Sequence, residues 1–266
     1  LGFDGRVVSV GEGEGYAAIA GKKNAKVNYQ VDLIDEIWED RPVLSEEPAF
    51  NLDVKYAGET VASKLARIRE EMKEAGTNVH VVSTIDDICW TLNIRGNDID
   101  FFPLVLSYGI ITMDSFELYI DEKKLDDKLK AKLAKDGVNL HPYNDIYEDV
   151  KKFGSDVVAM IDPGKLNYAL FNNIPENVKT VEKRNPAILM KAIKNSVEIE
   201  NIRKAQIKDS VAHVRFMKWL KENVGKMRIT EMSASDKLDE FRAEMGNFIR
   251  PSFEPISSFA EHAAIV

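Results

Sequence analysis

The chain has 266 residues, of which 44% are hydrophobic and 9% aromatic, so it holds enough apolar material for one large core or two smaller ones. This composition excludes a fibrous or wholly disordered protein. The 36 basic and 44 acidic residues leave a formal net charge of −8, which argues against nucleic acid as the main partner because phosphate backbones bind to basic surfaces.

Features of membrane proteins and exported proteins are missing from the sequence. No apolar run approaches the roughly 20 residues that a membrane-spanning helix needs, and no basic segment precedes an apolar signal core. The single cysteine, Cys89, cannot form a disulfide within the chain, which favours a reducing compartment. We therefore expect a cytoplasmic protein without a membrane partner, in which Cys89 is a buried structural thiol rather than a nucleophile.

Residues 1–50 begin with a β-like run at residues 6–10, followed by the glycine-rich stretch GEGEGY and a small-residue helix at residues 16–20. Ile34, Ile37 and Trp38 recur at helical spacing and predict a second helix, which Pro42 ends. The region is too short to hold a complete core. We expect it to be the end of a larger first domain.

The glycine-rich stretch lies between a predicted strand and a predicted helix, the position at which phosphate-binding loops occur. Its spacing matches neither the dinucleotide-binding fingerprint nor the P-loop, and Glu12 and Glu14 would repel a phosphate. We therefore interpret it as a surface turn.

Residues 55–183 form a stronger unit, in which helices and strands alternate in the manner of an α/β domain. Its first helix has an apolar stripe and ends near Gly76. The later elements are a strand at 79–83, a helix at 85–93, a hairpin turning at 113–115, a helix at 125–137 and a strand at 156–164. The stripe of the first helix consists of Val61, Leu65, Ile68 and Met72.

Residues 185–266 change in composition to long helices. Asn195 and Glu198 fit the N-cap pattern that begins a new helix, and a second helix is predicted from Thr230 to Phe241. We expect a new domain to begin here.

Candidate metal ligands are scattered along the sequence. No pair of histidines has the spacing that places two imidazoles on one metal. The acidic pairs could supply oxygen ligands for a hard cation, but helix capping, turn formation or solvation explains them better. The histidines are His80, His141, His213 and His262, and the acidic pairs are Asp86 with Asp87 and Asp98 with Asp100.

Five sequence blocks, in this order and spacing, resemble the three-domain Xaa-Pro aminopeptidases (aminopeptidase P). The blocks are IDEIWEDRP, IDDICWTLNIRGNDIDFFPLVLSYGII, NPAILMKAIKNSVEIENIRKAQIKDSVAHVRFMKWL, RITEMSASDKLDEFR and PSFEPISSFAEHAAIV. The resemblance implies an α/β fold. Residues 1–50 would be the remnant of a first creatinase N-terminal-like domain, 55–183 a second such domain, and 185–266 the helical start of a metallopeptidase domain of pita-bread fold.

The resemblance also implies an activity. Members of the family release the N-terminal residue from peptides with proline at the second position, using two metal ions, typically Mn²⁺, held by two Asp, one His and two Glu. None of these ligands matches a residue here, so we assign no catalytic and no metal-binding residue. We expect a fragment truncated at both ends, inactive by itself, with metal ligands beyond the C-terminus. The full-length protein is expected to form a homodimer.

Three residues are candidates for substrate binding by resemblance. Ile256 matches an apolar position that lines the specificity pocket in relatives, and Phe253 lies beside it. A buried strand with an ordinary turn explains both equally well. Arg95, in the NIRGND turn, resembles a turn that faces the catalytic cleft, although a structural salt bridge is the more favoured interpretation. His262 stands where many relatives have Asn, so we assign it no catalytic role.

Two other functions stay open at this point. A dipeptidase of prolidase type is one, but two-domain prolidases lack a preceding domain remnant. The other is a binding protein that kept the fold and lost the metals, as histone-chaperone relatives of this fold have, and its basic partner would suit the net charge of −8. The next residues along the chain would distinguish these possibilities.

Overall fold

The computed structural model describes residues 1–263 and separates the chain into two compact units. Unit 1 consists of Leu1–Asp98 and Leu104–Lys194, and unit 2 consists of Ile99–Pro103 and the residues from Asn195 onward. None of the helices in the described range has the length and apolar character needed to cross a bilayer. Helices and strands alternate in unit 1, which confirms the α/β class.

A six-stranded mixed sheet forms the centre of unit 1, and a separate pair of short strands lies beside it. The strands are β1 (Phe50–Asn51), β2 (Val79–Val82), β3 (Ile94–Arg95), β4 (Tyr108–Thr112), β5 (Phe116–Tyr119), β6 (Val138–His141), β7 (Val158–Ile161) and β8 (Lys179–Glu182). The sheet order is β6-β5-β4-β2-β7-β8, and β1 pairs with β3. β4 is antiparallel to β2 and β5, whereas the remaining pairs, β5–β6, β2–β7 and β7–β8, are parallel.

Within residues 1–263, ten α-helices surround or follow the strands. They are α1 (Val10–Gly21), α2 (Val54–Ala57), α3 (Val61–Glu74), α4 (Ile85–Leu92), α5 (Asp127–Lys135), α6 (Ile146–Asp149), α7 (Tyr168–Asn172), α8 (Pro186–Ala192), α9 (Ser196–Asn223) and α10 (Glu231–Glu244). The predicted strands at 79–83 and 156–164, the hairpin at 113–115 and the helices at 85–93 and 125–137 are thereby confirmed.

Both faces of the sheet are buried. Helix α3 covers one face with its predicted apolar stripe, whose four side chains are at most 2% exposed. Neighbouring residues of β2 point to opposite faces, so Val82 packs in the cluster with α3 while Val81 packs in a second cluster with Val10 of α1. Burial of each such side chain contributes about 1.5–3 kcal/mol, which makes these two clusters the main source of stability.

The N-terminal strand predicted at residues 6–10 is wrong. Ser9 caps α1 and forms a capping box with Glu12, so the glycine-rich stretch is helical and not a surface turn. Gly13 allows this helix to pack closely, because a Cβ atom there would lie 2.2 Å from the ring of Tyr168. Those tertiary contacts override the low helix propensity of the glycines.

The helix predicted around residues 34–38 is also wrong. The segment forms turns, with Trp38 N donating to Ile34 O at 3.0 Å, and Ile34, Ile37 and Trp38 are 52%, 75% and 46% exposed. Asp32 fixes these turns by accepting from Ile34 N and from Arg41 Nη1. Without a surface to pack against, helical spacing alone does not form a helix in so short a segment.

The two long helices of unit 2 begin where the sequence predicts. Asn195 and Glu198 form the expected capping box of α9, and Thr230 caps α10. In contrast to α3, α9 buries only Ala212, and no residue of α10 is buried. These helices are therefore specified at their ends by capping, with little burial along their length.

Candidate functional site

Two of the predicted substrate residues lie in the segment that follows α10. This segment has no regular structure until a 3-10 turn at Ala260–His262, so the alternative of a buried strand is wrong. Phe253 is 69% exposed and Ile256 is 85% exposed. Both apolar side chains are therefore open to solvent in the described part of the chain.

One carboxylate, that of Glu231, links this segment to the start of α10. Glu231 accepts a hydrogen bond from Phe259 N at 2.7 Å and lies 3.0 Å from His262 Nδ1. The backbone hydrogen bond from Phe259, followed by the bond from His262, lowers the pKa of Glu231. His262 thus contacts Glu231 and helps to hold the segment against the start of α10.

Arg95, the third predicted substrate residue, lies in β3 of unit 1, whereas Phe253 and Ile256 belong to unit 2. Its Nη1 atom donates to the carbonyl oxygens of Cys89 at 2.9 Å and Ile94 at 2.8 Å, so part of the guanidinium satisfies the C-terminal end of α4. The side chain is half-buried. Its role in substrate binding stays a prediction.

Close packing fixes the turn that carries Arg95. Asn93 adopts a left-handed conformation with φ 53° and ends α4. A Cβ atom at Gly96 would lie 2.5 Å from Val105 Cγ2 and 3.1 Å from Leu104 O, so only glycine fits there. The backbone on both sides of Arg95 is therefore held in one conformation.

The acidic pair Asp98 and Asp100 does not form a cation site. Asp98 Oδ2 accepts from Lys124 Nζ at 2.5 Å and from Leu106 N at 2.7 Å, and its side chain is fully buried. Asp100 is exposed in the loop assigned to unit 2. Asp98 is thus not solvated but one half of a buried ion pair, while the bond from Leu106 N agrees with the contact to the backbone that is typical of Asp in a turn.

The other acidic pair begins α4, as predicted, but it also takes part in a network that the sequence does not reveal. Asp87 accepts from Asn185 Nδ2 at 2.9 Å and from Lys191 Nζ at 2.7 Å, and Lys191 also pairs with Asp86. His80 Nε2 lies 3.3 Å from Asn185 Oδ1. The Asn-Pro step at the start of α8 is the one sequence signal for this network, since proline favours the first turn of a helix.

Neither His80 nor Cys89 is placed to react with a substrate. Burial lowers the pKa of His80, although hydrogen bonding to Met160 O opposes this shift. Cys89 is 1% exposed, and burial raises its pKa to about 11. Both side chains stabilise the interior, as predicted for the thiol.

The other two histidines lie near the surface, each beside a carboxylate. His141 Nε2 is 2.6 Å from Glu117 Oε2, and its ring stacks on Tyr119. His213, on α9, is 3.8 Å from Asp209. No structural feature brings these histidines to a common centre within the described residues.

Comparison with known families decides where this chain belongs. The sequence profile of the creatinase/prolidase N-terminal domain matches residues 40–198, which is more than half of the chain. The chain belongs to this family. The profile of metallopeptidase family M24 matches residues 200–266. Arg95 therefore lies in the region that matches the creatinase/prolidase N-terminal domain, and Phe253 and Ile256 lie in the region that matches family M24.

Relatives of this chain within the family are named as aminopeptidases. A probable Xaa-Pro aminopeptidase P of Neurospora crassa is 36% identical over 247 residues, covering 88% of this chain and 36% of that protein. Xaa-Pro aminopeptidase 1 of Dictyostelium discoideum is 35% identical over 282 residues, covering 100% of this chain and 44% of that protein. The chain thus spans less than half the length of these relatives.

A solved structure supports the same assignment. The X-prolyl aminopeptidase of Caenorhabditis elegans, described as a cytosolic enzyme with a di-nuclear active site, matches with a TM-score of 0.88 at 31% identity. The match covers 95% of this chain and 42% of that one. Fold and sequence therefore agree on the family.

The match to metallopeptidase family M24 implies a metal cofactor, so we asked whether the described residues could bind one. Between residues 1 and 263, no three side chains among His, Cys, Asp and Glu are grouped so that they could hold a metal ion. The described residues therefore do not fit a metal centre. No catalytic step is assigned to them.

Proposed function

We propose that this chain is part of an Xaa-Pro aminopeptidase, an enzyme that releases the N-terminal residue from peptides with proline at the second position. The observation that carries the proposal is the continuous similarity to proteins of that name, which extends over 88–100% of this chain at 35–36% identity. The C. elegans structure supports it independently through the fold. Peptides are accordingly the proposed substrate class.

The proposed reaction depends on metal ions that the described residues do not bind. We infer that residues of the M24 region beyond position 266 would hold two Mn²⁺ ions, and such a pair would supply Lewis-acid chemistry for peptide hydrolysis. The 266-residue chain by itself is expected to be inactive.

Within this chain, the proposed contribution is substrate binding. Phe253 and Ile256 present exposed apolar side chains in the M24-matched region, and such side chains suit the apolar ring of a proline residue. Arg95 has a fixed backbone and a half-buried guanidinium, a combination that suits a positioning role. These three assignments define what mutagenesis of the longer protein should examine.

The direct experiment extends the reading frame past Val266, expresses the complete protein and measures release of the N-terminal residue from an Xaa-Pro peptide with and without Mn²⁺. A matched peptide with alanine in place of proline is the control for specificity. Metal-dependent release restricted to the proline peptide supports the proposal. Absence of release despite an intact ligand set contradicts it and points to another peptidase specificity, while a missing ligand set makes a binding protein the better account.

Residue roles are tested in the same protein. We expect Ile256→Ala to raise KM for the proline peptide several-fold with a smaller effect on kcat. The substitution removes an apolar contact that the bound substrate and the transition state would share equally. Ile249→Ala, also exposed and in the same region, is the matched control and should leave KM unchanged. Equal effects of the two substitutions would overturn the assignment of Ile256.

The remaining proposals concern organisation. We propose domain boundaries near residues 50–55 and 183–185, a cytoplasmic location and a homodimeric full-length enzyme. The description of the C. elegans neighbour as cytosolic supports the location. Limited proteolysis should cut first near these boundaries, and cuts confined to other segments would argue against them.

A further inference from the structure

A cavity of about 520 Å³ lies at one end of the central sheet. Its wall includes Asp121, just after β5, and Tyr143, just after β6, so it opens at the carboxyl ends of two neighbouring parallel strands. Ligands of open α/β sheets bind preferentially outside such strand ends. The volume is also in the range of small-molecule sites, about 300–1,000 Å³.

The charged groups around this sheet-end cavity are predominantly acidic. Asp121, Glu122 and Asp145 line it together with one cation, Lys124. Lys124 is 2% exposed and pairs with Asp98, so its charge is already compensated. Glu122 pairs with Lys130 at 3.0 Å, whereas Asp145 forms no side-chain hydrogen bond or ion pair with any of the residues 1–263. The lining residues therefore carry more negative than positive charge, although Lys123 interacts electrostatically with Asp121 and Lys152 with Asp145.

A buried carboxylate oxygen next to this wall lacks a donor. Asp98 binds two residues of the cavity wall, Leu106 through its backbone N and Lys124 through its Nζ. Both bonds go to Oδ2, and Oδ1 is the one buried side-chain oxygen or nitrogen in the described range without a hydrogen-bond partner. An unpaired buried acceptor is costly, but Asp98 does not itself line the cavity, so this oxygen belongs to the buried support of the wall and not to its ligand-facing surface.

Apolar and aromatic groups complete the wall. Tyr143 is half-buried and packs against Tyr108, with ring centroids 5.0 Å apart, so its ring orientation is fixed. Leu106 adds an aliphatic surface. An aromatic face attracts a cation and also packs against an apolar stem.

The segment before β1 closes one side of the cavity. Leu44 and Ser45 line it, and the segment is held in place by the ion pair between Glu46 and Lys123 at 2.5 Å and by Ala49 N donating to Lys124 O at 2.8 Å. The site is therefore assembled from residues far apart in sequence.

We propose that the sheet-end cavity binds a small organic cation, an ammonium or guanidinium group carried on an apolar or aromatic stem. The carboxylates of Glu122 and Asp145 attract the charge, and Tyr143 and Leu106 contact the stem. The residues that line this site all belong to unit 1 and include none of the proposed substrate-binding residues, so the proposal does not depend on the proposed peptidase activity.

The test uses the 266-residue chain and benzylamine as the probe, with benzyl alcohol and benzoate as neutral and anionic matches. Backbone amide shifts are followed by NMR during titration. We expect benzylamine to produce saturable shifts at residues 120–124 and 143–145, and the two matched compounds to produce none or to bind at least tenfold more weakly.

Substitutions then test the charge requirement. Asp145→Asn and Glu122→Gln should each weaken benzylamine binding about two- to fivefold, since each removes one partly exposed charge. Asp114→Asn, at the exposed hairpin tip, is the matched control and should change nothing. The proposal is overturned if benzylamine does not saturate, if benzyl alcohol binds equally well, or if all three variants bind like the parent chain.

Discussion

Units 1 and 2 are stabilised in different ways, although both contain long amphipathic helices. Helix α3 of unit 1 buries a full apolar stripe against the sheet. Helix α9 of unit 2 is twice as long but buries only Ala212, and its Ile202, Ile207 and Val214 are 53%, 66% and 69% exposed. The apolar stripe is therefore fully covered in α3, whereas most apolar side chains of α9 stay exposed among the described residues.

The difference shows which forces hold each unit. Burial of apolar surface dominates unit 1. In unit 2, the helices are joined by surface ion pairs such as Arg242 with Asp209 at 2.7 Å, and by the packing of Lys237 over Trp219, each of which contributes less than a buried side chain. Substitutions of the same kind should therefore have unequal effects in the two units.

The largest difference is expected for ion pairs. Lys124→Met in unit 1 should reduce the free energy of unfolding by about 3–5 kcal/mol, because it leaves the carboxylate of Asp98 buried without its cation. Lys204→Met in α9 should leave the free energy of unfolding nearly unchanged, because Lys204 and Glu200 are both about two-thirds exposed. Urea unfolding measures both. Equal losses of unfolding free energy in the two variants would show that the pair of Lys124 with Asp98 behaves like an exposed ion pair.

Matched isoleucines give the next largest contrast. Ile68→Ala in α3 should cost about 2–5 kcal/mol through lost burial and a cavity, since Ile68 is 1% exposed. Ile207→Ala in α9 should change stability by less than about 0.5 kcal/mol. Urea titrations measure the loss of unfolding free energy in both variants. Equal losses for Ile207→Ala and Ile68→Ala would contradict the difference in burial between α9 and α3.

A smaller effect is expected at the start of α9, where local structure carries more of the stability. Asn195→Ala should destabilise the helix by about 1 kcal/mol because it removes the side-chain acceptor of the capping box. Asn195→Ser keeps an acceptor and serves as the control. Amide exchange at residues 197–200 should accelerate in the alanine variant alone, and unchanged exchange would indicate that the cap is not needed.

The smallest effect concerns pH. Burial acts to raise the pKa of Glu117, but hydrogen bonds from Ser115, His141 and Asn139 outweigh it and lower the pKa below the ordinary value of 4.5. The unfolded chain therefore binds the proton at higher pH than the folded one, so stability from this group is lost as pH falls below about 4.5. Glu117→Gln should make the fall in urea midpoint between pH 7 and pH 3 shallower. If the urea midpoint of Glu117→Gln fell as steeply as that of the parent chain, Glu117 would not contribute to the loss of stability in acid.

The fold of unit 1 could be predicted because its signals are local. The stripe on α3, the strand at 79–82 and the hairpin at 113–115 each follow from the spacing of apolar residues. Residues 6–10 could not be assigned in this way, because the close packing of Gly13 on Tyr168 joins segments far apart in sequence. The same limit applies to residues 34–38, where Asp32 and Arg41 form the contacts that fix the turns.

The candidate site could be predicted only in part. Resemblance offered Arg95, Phe253 and Ile256 as candidates, yet it could not show that Arg95 donates to main-chain carbonyls or that the other two are exposed. The buried pair of Asp98 with Lys124 joins positions 26 residues apart, so no motif reveals it. Sequence patterns report periodicity and capping well, and long-range polar contacts poorly.

Hydrogen exchange of the whole 266-residue chain tests the difference between the two units most directly. We predict that amides of β2, β4 and β5 in unit 1 exchange slowly, at rates set by global unfolding, whereas amides of α9 and α10 exchange orders of magnitude faster because little burial protects them. Equal protection of α9 and β4 would contradict the account and show that unit 2 is held by contacts as extensive as those of the sheet.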